Sequence, residues 1–183
     1  MNDAMEVRAV RVAHAINALV VLGTFAAAML GHRQQPDRVP VHFGLAGFPD
    51  RWADKGWGNT LAVPLLSLAT MAFIYGSAQV LGWARRHPGM LNLPDKEAFL
   101  ALLPELQDPI WRQMKALIYW LAVPETLVFL TMVGLGPGVD GRLRIWPIFV
   151  PAGLVLILPT MLVVRLLRRV RKTIAVGARR IPA

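Results

Sequence analysis

Apolar residues concentrate in four long runs along the chain, at residues 12–30, 61–83, 116–135 and 145–164. Each run is about 20 residues long, the length at which an α-helix crosses a hydrocarbon core about 30 Å thick. None alternates apolar and polar residues as a barrel strand does, and backbone groups in lipid must be paired within the protein. The pattern therefore predicts an all-α integral membrane protein, with one domain over residues 1–183 built as a four-transmembrane-helix bundle.

A further helix is predicted between the second and third runs, over about residues 95–112. Apolar residues recur there at helical spacing, and charged residues separate them. This pattern is typical of a helix lying in the cytoplasmic interface, broken or bent near Pro104 and Pro109. A cytoplasmic helix packed on the floor of the bundle fits the pattern equally well. The apolar positions are Phe99, Leu102, Leu103, Leu106 and Ile110.

Composition supports a membrane protein, and the basic residues predict its orientation. Of 183 residues, 55% are hydrophobic and 17% charged, against about 25% charged in soluble domains. The first, third and last segments outside the runs carry 2, 5 and 7 Lys and Arg, and the other two carry 4 and 2, so 14 stand against 6. The positive-inside rule then places both termini in the cytoplasm and residues 31–60 outside the inner membrane.

The first run has a second interpretation as a cleaved signal peptide, with Arg8 and Arg11 as its charged region and residues 26–28 as a small-residue cleavage site. Its apolar length of 19 residues exceeds the roughly 7 to 15 of a signal core, which favours a retained helix. The basic tail after residue 164 is explained by anionic lipid at the membrane surface rather than by nucleic acid. The chain has no cysteine, which excludes disulfides and thiolate chemistry, and no cofactor is expected.

Residues 40–55 read PVHFGLAGFPDRWADK, a polar stretch dense in glycine and proline between two apolar runs. Such punctuation predicts a compact cap over the outer helix ends, with residues 39–43 short and extended. Gly47 is expected at positive φ, and Pro49 holds its neighbour extended. We also expect His42 and Asp50 to close the cap with a hydrogen bond. Phe43, Phe48 and Trp52 are expected to bury against the helix ends.

The spacing of proline, histidine, glycine and aspartate in this stretch resembles the signature of the membrane proteins grouped as domain of unknown function 1648. The similarity covers roughly residues 18–66 and implies a bacterial or archaeal inner-membrane protein. The same domain occurs in the family of the immunity protein for the sporulation-delaying toxin. That relationship implies detection of an extracellular peptide, or protection against it, with a signal passed to a cytoplasmic repressor held at the membrane. The residues that carry the resemblance are Pro40, His42, Phe43, Gly47, Pro49, Asp50 and Lys55.

Four interpretations of the cap remain open. It could be a purely structural plug, or a recognition surface with Asp50, Arg51 and Lys55 as polar contacts. It could be a hydrolase site with His42 as base and Asp50 orienting it, but the outer loops offer only Thr60 as a hydroxyl nucleophile. It could also hold zinc, although no pair has the close spacing of familiar zinc motifs. The weak metal candidates are His32, Asp37, His42, Asp50 and Asp54.

Glu125 is the residue that stands out within the predicted spans. It lies ten residues after Lys115, or about 15 Å along a helix, near the membrane midplane, where an ionised carboxylate is costly. We expect it to be protonated or paired, with Asn17, Gln79 and Thr126 as uncharged partners. A neutral carboxyl bonded to a carbonyl freed by Pro124 is the structural alternative.

The sequence thus favours a membrane binding or signalling protein without catalysis, with an outer recognition loop for peptide or toxin sensing of the immunity type. The alternative is a small transporter or membrane metal-binding protein that uses the intramembrane acid. The expected partners are the lipid bilayer, an extracellular peptide or small ligand, and a cytoplasmic regulatory protein. No nucleic-acid partner is expected.

Overall fold

The computed structural model describes residues 3–44, 46–90, 93, 95–135 and 146–178. Four long helices account for most of these residues, and a short helix and a two-stranded hairpin connect some of them. The long helices are α1 (Asp3–His32), α2 (Trp57–Ala84), α4 (Pro104–Leu135) and α5 (Trp146–Ala178), and the short one is α3 (Lys96–Leu100). The strands are β1 (Arg38–Phe43) and β2 (Pro49–Asp54).

The four long helices confirm a mostly helical membrane protein. Within the described residues, each is long and apolar enough to cross a membrane. The four predicted apolar runs lie inside them, except for residue 145, which is outside the described residues. The helices have 28 to 33 residues and are therefore about 42 to 50 Å long. They extend past the apolar runs because hydrogen bonding continues a helix beyond the hydrocarbon, where apolar composition no longer marks it.

Helix α4 is central to the packing. It lies against α1, α2 and α5, and α1 also packs against α2. Small residues mediate the closest contacts, since Ala13 of α1 and Ala78 of α2 are fully buried beside Tyr119 of α4. Small side chains let transmembrane helices approach closely, which is how such helices gain packing contacts in lipid. Large apolar side chains such as Phe73 and Leu156 point outward, as lipid-facing residues do.

The end of the bundle where α1 begins and α5 ends, called here the terminus end, has its own apolar core. Phe99 of α3, Ile110 of α4 and Val170 of α5 are buried together. A Cβ added at Gly177 of α5 would lie 2.2 Å from Leu102, so that glycine permits a close approach of the chain before α4. The terminus end is therefore closed by packed side chains rather than by loose loops.

The helix predicted over residues 95–112 is divided in the structure. Its first part is α3, and residues 104–112 form the beginning of α4, which starts at Pro104 and continues through Pro109. Proline fits the first turn of a helix because the N–H group it lacks has no partner there. The burial of Phe99 corresponds to the alternative of a helix packed on the bundle floor.

Strands β1 and β2 form an antiparallel hairpin between α1 and α2, at what we call the hairpin end of the bundle. The sequence predicted an extended segment at residues 39–43 but not the second strand. Val39 is buried, at 6% exposed, whereas most other side chains of the two strands are exposed or half-buried. The connection between the first two spans is thus an ordered β element with much of its side-chain surface outward.

Candidate functional site

Two backbone hydrogen bonds among Gly44, Gly47 and Phe48 fix the turn between β1 and β2. The Gly44 N–H donates to the Phe48 carbonyl at 2.9 Å, and the Gly47 N–H donates to the Gly44 carbonyl at 2.8 Å. Gly47 has φ of 81°, in the left-handed region that side chains with a Cβ resist. This confirms the positive φ predicted for Gly47 and shows why the turn requires glycine there.

The strand pairing is irregular on either side of His42. Pro40 lies opposite Trp52, but His42 lies opposite Arg51, so that Val41 is an extra residue on β1. Phe43 then lies opposite Pro49, which makes Asp50 the extra residue on β2. Such bulges bend a strand and redirect its side chains. Because His42 lies opposite Arg51, the extra residue Asp50 comes to lie beside His42 across the hairpin.

The side chains of His42 and Asp50 form the predicted contact. Nδ1 of His42 lies 2.5 Å from Oδ1 of Asp50, and both side chains are more than half exposed. A carboxylate at this nitrogen favours a proton on Nδ1, which then donates to Asp50. Nε2 of His42 is left facing outward as an acceptor when the ring is neutral. The hydrogen bond predicted from the sequence is confirmed.

The aromatic residues of the hairpin are placed differently from the prediction. Phe48 is 56% exposed and Trp52 is 43% exposed, so the expectation that both bury against the helix ends is wrong. Phe43 is half-buried, and Arg51 is exposed. Ala53 lies opposite the buried Val39, so the alternation of side chains along β2 turns the adjacent Trp52 to the opposite, outward face, and Phe48 lies before β2 begins. The hairpin therefore displays apolar surface outward beside Arg51.

The base of the hairpin is held by a second set of contacts. His32 stacks on Trp57 with ring centroids 4.0 Å apart, and its Nδ1 lies 2.7 Å from the Thr60 hydroxyl. Lys55 donates from Nζ to the Gln35 carbonyl at 3.0 Å, so it does not pair with Asp50. The Thr60 hydroxyl also lies 3.2 Å from Oε1 of Gln35. These contacts tie the end of α1 to the start of α2 and fix the hairpin on the bundle.

Of the metal candidates, the structure brings His42 and Asp50 together, whereas His32 contacts Thr60. Among the residues that the structure describes, no three His, Asp or Glu side chains are grouped closely enough to hold a metal ion. The hydrolase interpretation requires a hydroxyl beside His42, and none of the described residues supplies a hydroxyl that contacts its imidazole. Thr60, the hydroxyl that the outer loops offered, contacts His32 instead.

Glu125 of α4 is half-buried in the bundle and faces α2. Its carboxyl is hydrogen-bonded to the Thr70 side chain of α2. The other carboxyl oxygen, Oε2, is buried and has no hydrogen-bond partner within the described part of the chain. Of the partners expected from the sequence, Asn17 contacts other groups and Gln79 is exposed on the outside of α2. The sequence predicted a depth for Glu125 in the membrane but not the direction in which its side chain points.

A separate polar cluster lies inside the bundle. Asn17 of α1 and Thr126 of α4 are fully buried, and the Thr126 hydroxyl lies 3.3 Å from Oδ1 of Asn17. Asn17 donates to the Tyr119 carbonyl at 3.1 Å and to the Tyr75 hydroxyl at 3.3 Å. His14 completes the cluster with Nδ1 2.8 Å from the same hydroxyl. The sequence prediction missed Tyr75, although a tyrosine within an apolar run is the type of residue whose hydroxyl needs a partner.

The fold and its polar contacts define a multi-pass membrane protein that carries an ordered hairpin between its first two spans. Residues 19–68 match a family model described as "Domain of unknown function (DUF1648)". The match covers the second half of α1, the whole hairpin and the first part of α2, and it confirms the resemblance found in the sequence. No curated protein and no solved structure compared with the chain matches it significantly.

Proposed function

We propose that this protein is a membrane-bound binding and signalling protein whose hairpin recognises an extracytoplasmic peptide, without catalysing a reaction. One observation carries the proposal: the Gly47 turn and the His42–Asp50 bond hold a hairpin that presents Phe48 and Trp52 to the outside. A connector between two spans has no need of a fixed shape or of exposed aromatic rings. Both are properties of a recognition surface.

The exposed groups are of the type that dominate binding energies. Aromatic side chains and arginine are enriched among the residues that contribute most to interfaces, and Arg51 follows Asp50 on the strand that carries Trp52. A loop already held in its binding shape loses less conformational entropy when the partner binds. A peptide with apolar side chains and a carboxylate fits this combination of aromatic surface and arginine.

The orientation of the protein in the membrane is inferred from the basic residues, because the segments on the side of the termini carry 14 Lys and Arg and the other segments carry 6. The hairpin then faces the outside, and the packed terminus end faces the cytoplasm. The ion pair between Arg85, just after α2, and Asp108 of α4 joins two helices at that end. A shift of α2 caused by peptide binding would be passed to α4 there, where a cytoplasmic regulatory protein would sense it.

The immunity-like form of this function rests on the resemblance of the hairpin stretch to proteins of the sporulation-delaying-toxin immunity family. In such a role, the protein would detect a toxic peptide outside the cell or protect the membrane from it. Peptide toxins that act on membranes are amphipathic. They would offer the hairpin the apolar surface that Phe48 and Trp52 are placed to contact.

Equilibrium binding in lipid nanodiscs tests the proposal. Fluorescently labelled amphipathic, membrane-active peptides would be titrated with the wild-type protein, Trp52→Ala and Phe73→Ala. We expect at least one peptide to bind with an affinity that Trp52→Ala lowers about tenfold or more, as for a central interface aromatic. Phe73 is exposed on α2, and its replacement should leave binding unchanged. If Trp52→Ala leaves the affinity for every bound peptide unchanged, recognition by the hairpin is refuted.

The transporter alternative is supported by one observation: Oε2 of Glu125 is buried and has no hydrogen-bond partner among the residues that the structure describes. A carboxyl oxygen without a protein partner inside a bundle is a candidate site for a proton or a transported cation. Proteoliposomes that contain the wild-type protein or Glu125→Gln distinguish this alternative. Proton or cation uptake that requires Glu125 would support it, and equal uptake with both proteins would rule it out.

A further inference from the structure

A groove of about 500 Å³ opens between α1, α4 and α5, in the half of the bundle nearer the terminus end. Its size falls within the range of roughly 300–1,000 Å³ that is typical of small-molecule sites. Most of its surface is apolar, and the exceptions are one amide and two guanidinium groups. The groove is lined by Ala9, Gln113, Ala116, Leu117, Trp120, Leu158, Leu162, Arg165, Leu166 and Arg169.

The lining residues of α5 change from apolar to basic along one face. Leu158 and Leu162 are followed by Arg165 and Arg169 at spacings of four, three and four residues, which places them on one side of a helix. From first to last the stripe covers about 16 Å at 1.5 Å per residue. Arg165 and Arg169 therefore lie at the end of the stripe nearer the terminus end, and the leucines lie deeper in the bundle.

The lining residues of α4 also change from apolar to polar toward the terminus end. α5 runs antiparallel to α4, because Gly177 near the end of α5 lies against Leu106 in the first turn of α4 and against Leu102 just before it. Gln113 of α4 is therefore on the same side of the groove as the arginines, and Trp120 is on the side of the leucines. The groove is therefore apolar on the side deeper in the bundle and polar on the side nearer the terminus end.

We propose that this groove binds a single anionic phospholipid. One acyl chain lies along Leu158, Leu162 and Trp120, and the phosphate contacts Arg165 and Arg169. Guanidinium groups bind phosphate through paired, charge-assisted hydrogen bonds. Basic pockets between transmembrane helices on the cytoplasmic side are suited to anionic lipid head groups.

The chemistry of the groove favours this occupant over simpler ones. A zwitterionic lipid carries the same phosphate together with a cationic group that two arginines repel, and a soluble phosphate would gain nothing from the apolar walls. The basic residues of the terminus end place the arginines in the cytoplasmic leaflet by the positive-inside rule, which is the leaflet that carries anionic lipid. A bound lipid would also fill the space between α5 and the rest of the bundle.

The test measures lipid binding to the purified protein in neutral detergent by native mass spectrometry. The probes are phosphatidylglycerol, phosphatidylcholine with the same acyl chains, and glycerol phosphate, which has no acyl chain. The test variant is Arg165→Gln/Arg169→Gln. The matched control is Arg168→Gln/Lys172→Gln, which removes the same charge from exposed residues of α5 outside the groove. A third variant, Leu162→Trp, fills the apolar part and keeps both arginines. Thermal unfolding establishes that each variant is folded.

We expect wild type to bind phosphatidylglycerol about tenfold or more tightly than phosphatidylcholine, because each basic residue near the head group adds to the affinity. Arg165→Gln/Arg169→Gln should remove that preference, the control should keep it within about twofold, and Leu162→Trp should weaken binding of both lipids. Equal loss in the test and control variants would overturn the proposal, as would equal affinity for the two lipids. Binding of glycerol phosphate as tight as that of phosphatidylglycerol would also overturn it, since the apolar walls would then play no part. If Arg165→Gln/Arg169→Gln does not fold, Leu162→Trp decides the question, because unchanged lipid affinity in that variant contradicts an acyl chain in the groove.

Discussion

Oδ1 of Asp50 lies 2.5 Å from Nδ1 of His42, across the two bulges of the hairpin. The contact joins β2 to β1 at the place where regular strand pairing fails. It is exposed, so its contribution to the free energy of unfolding is small, whereas its effect on the shape of the hairpin is direct.

The turn at Gly47 should be the position of the hairpin most sensitive to substitution. Gly47→Val forces a β-branched residue to φ of 81° and should destabilise the hairpin by about 1–2 kcal/mol. The matched control is Gly56→Val, since Gly56 has φ of −166° and open space around its Cβ position. Thermal unfolding in detergent should show a lower midpoint for Gly47→Val alone. Equal midpoints for the two variants would contradict the requirement for a fixed turn.

The His42–Asp50 pair should contribute little to stability and much to the state of the imidazole. Because both side chains are largely exposed, a double-mutant cycle with His42→Ala and Asp50→Ala should give a coupling of at most about 1 kcal/mol. Nitrogen NMR shifts of His42 at neutral pH should show the tautomer protonated at Nδ1, and Asp50→Ala should abolish that preference. A wild-type ring protonated only at Nε2 would show that the contact is not a hydrogen bond donated by His42.

The buried polar cluster should stabilise the bundle. Asn17→Leu would leave the Thr126 hydroxyl and the Tyr119 carbonyl without their buried partner, and we expect a loss of about 1–2 kcal/mol. Gln79→Leu is the control, because Gln79 is an amide of the neighbouring helix that is exposed. Chemical unfolding in mixed micelles should distinguish the two. Equal stability of both variants would show that the cluster is not a stabilising contact.

The orientation should follow the distribution of basic residues. A reporter fused after Gly44 should be active outside the cytoplasm, and one fused after Pro88 should be active inside it. The physical reason is the excess of Lys and Arg in the segments on the side of the termini. A cytoplasmic signal from the Gly44 fusion would reverse the bundle in the membrane and place the hairpin inside the cell.

The sequence was sufficient to predict the four spans, because 20 apolar residues in a row have few alternatives to a membrane helix. It also predicted the conformation of Gly47, since a glycine two residues before a proline, in a stretch dense in both, favours a turn with positive φ. It did not predict the exposure of Trp52. The face on which Trp52 lies depends on its pairing with Pro40, next to the buried Val39, and the second strand was not predicted.

The placement of Glu125 shows a second limit of the sequence. Counting residues from Lys115 gives depth along the helix, but the rotation of α4 decides whether Glu125 meets Asn17 of α1 or Thr70 of α2. That rotation results from the packing of Tyr119 among small residues of two other helices, which no single segment encodes. The neighbouring Thr126, turned by about 100°, contacts Asn17 instead.

The central claim, that the hairpin is a recognition surface, is tested most directly by photocrosslinking in cells that naturally produce the protein. Trp52 would be replaced by the photoreactive residue benzoylphenylalanine, with the same replacement at the outward-facing Phe73 of α2 as control. Adducts would be identified by mass spectrometry. The account predicts a single peptide adduct at position 52, absent at position 73 and lost when Gly47→Val is combined with the probe. Adducts of lipid alone at both positions, or a peptide adduct that persists with Gly47→Val, would contradict it.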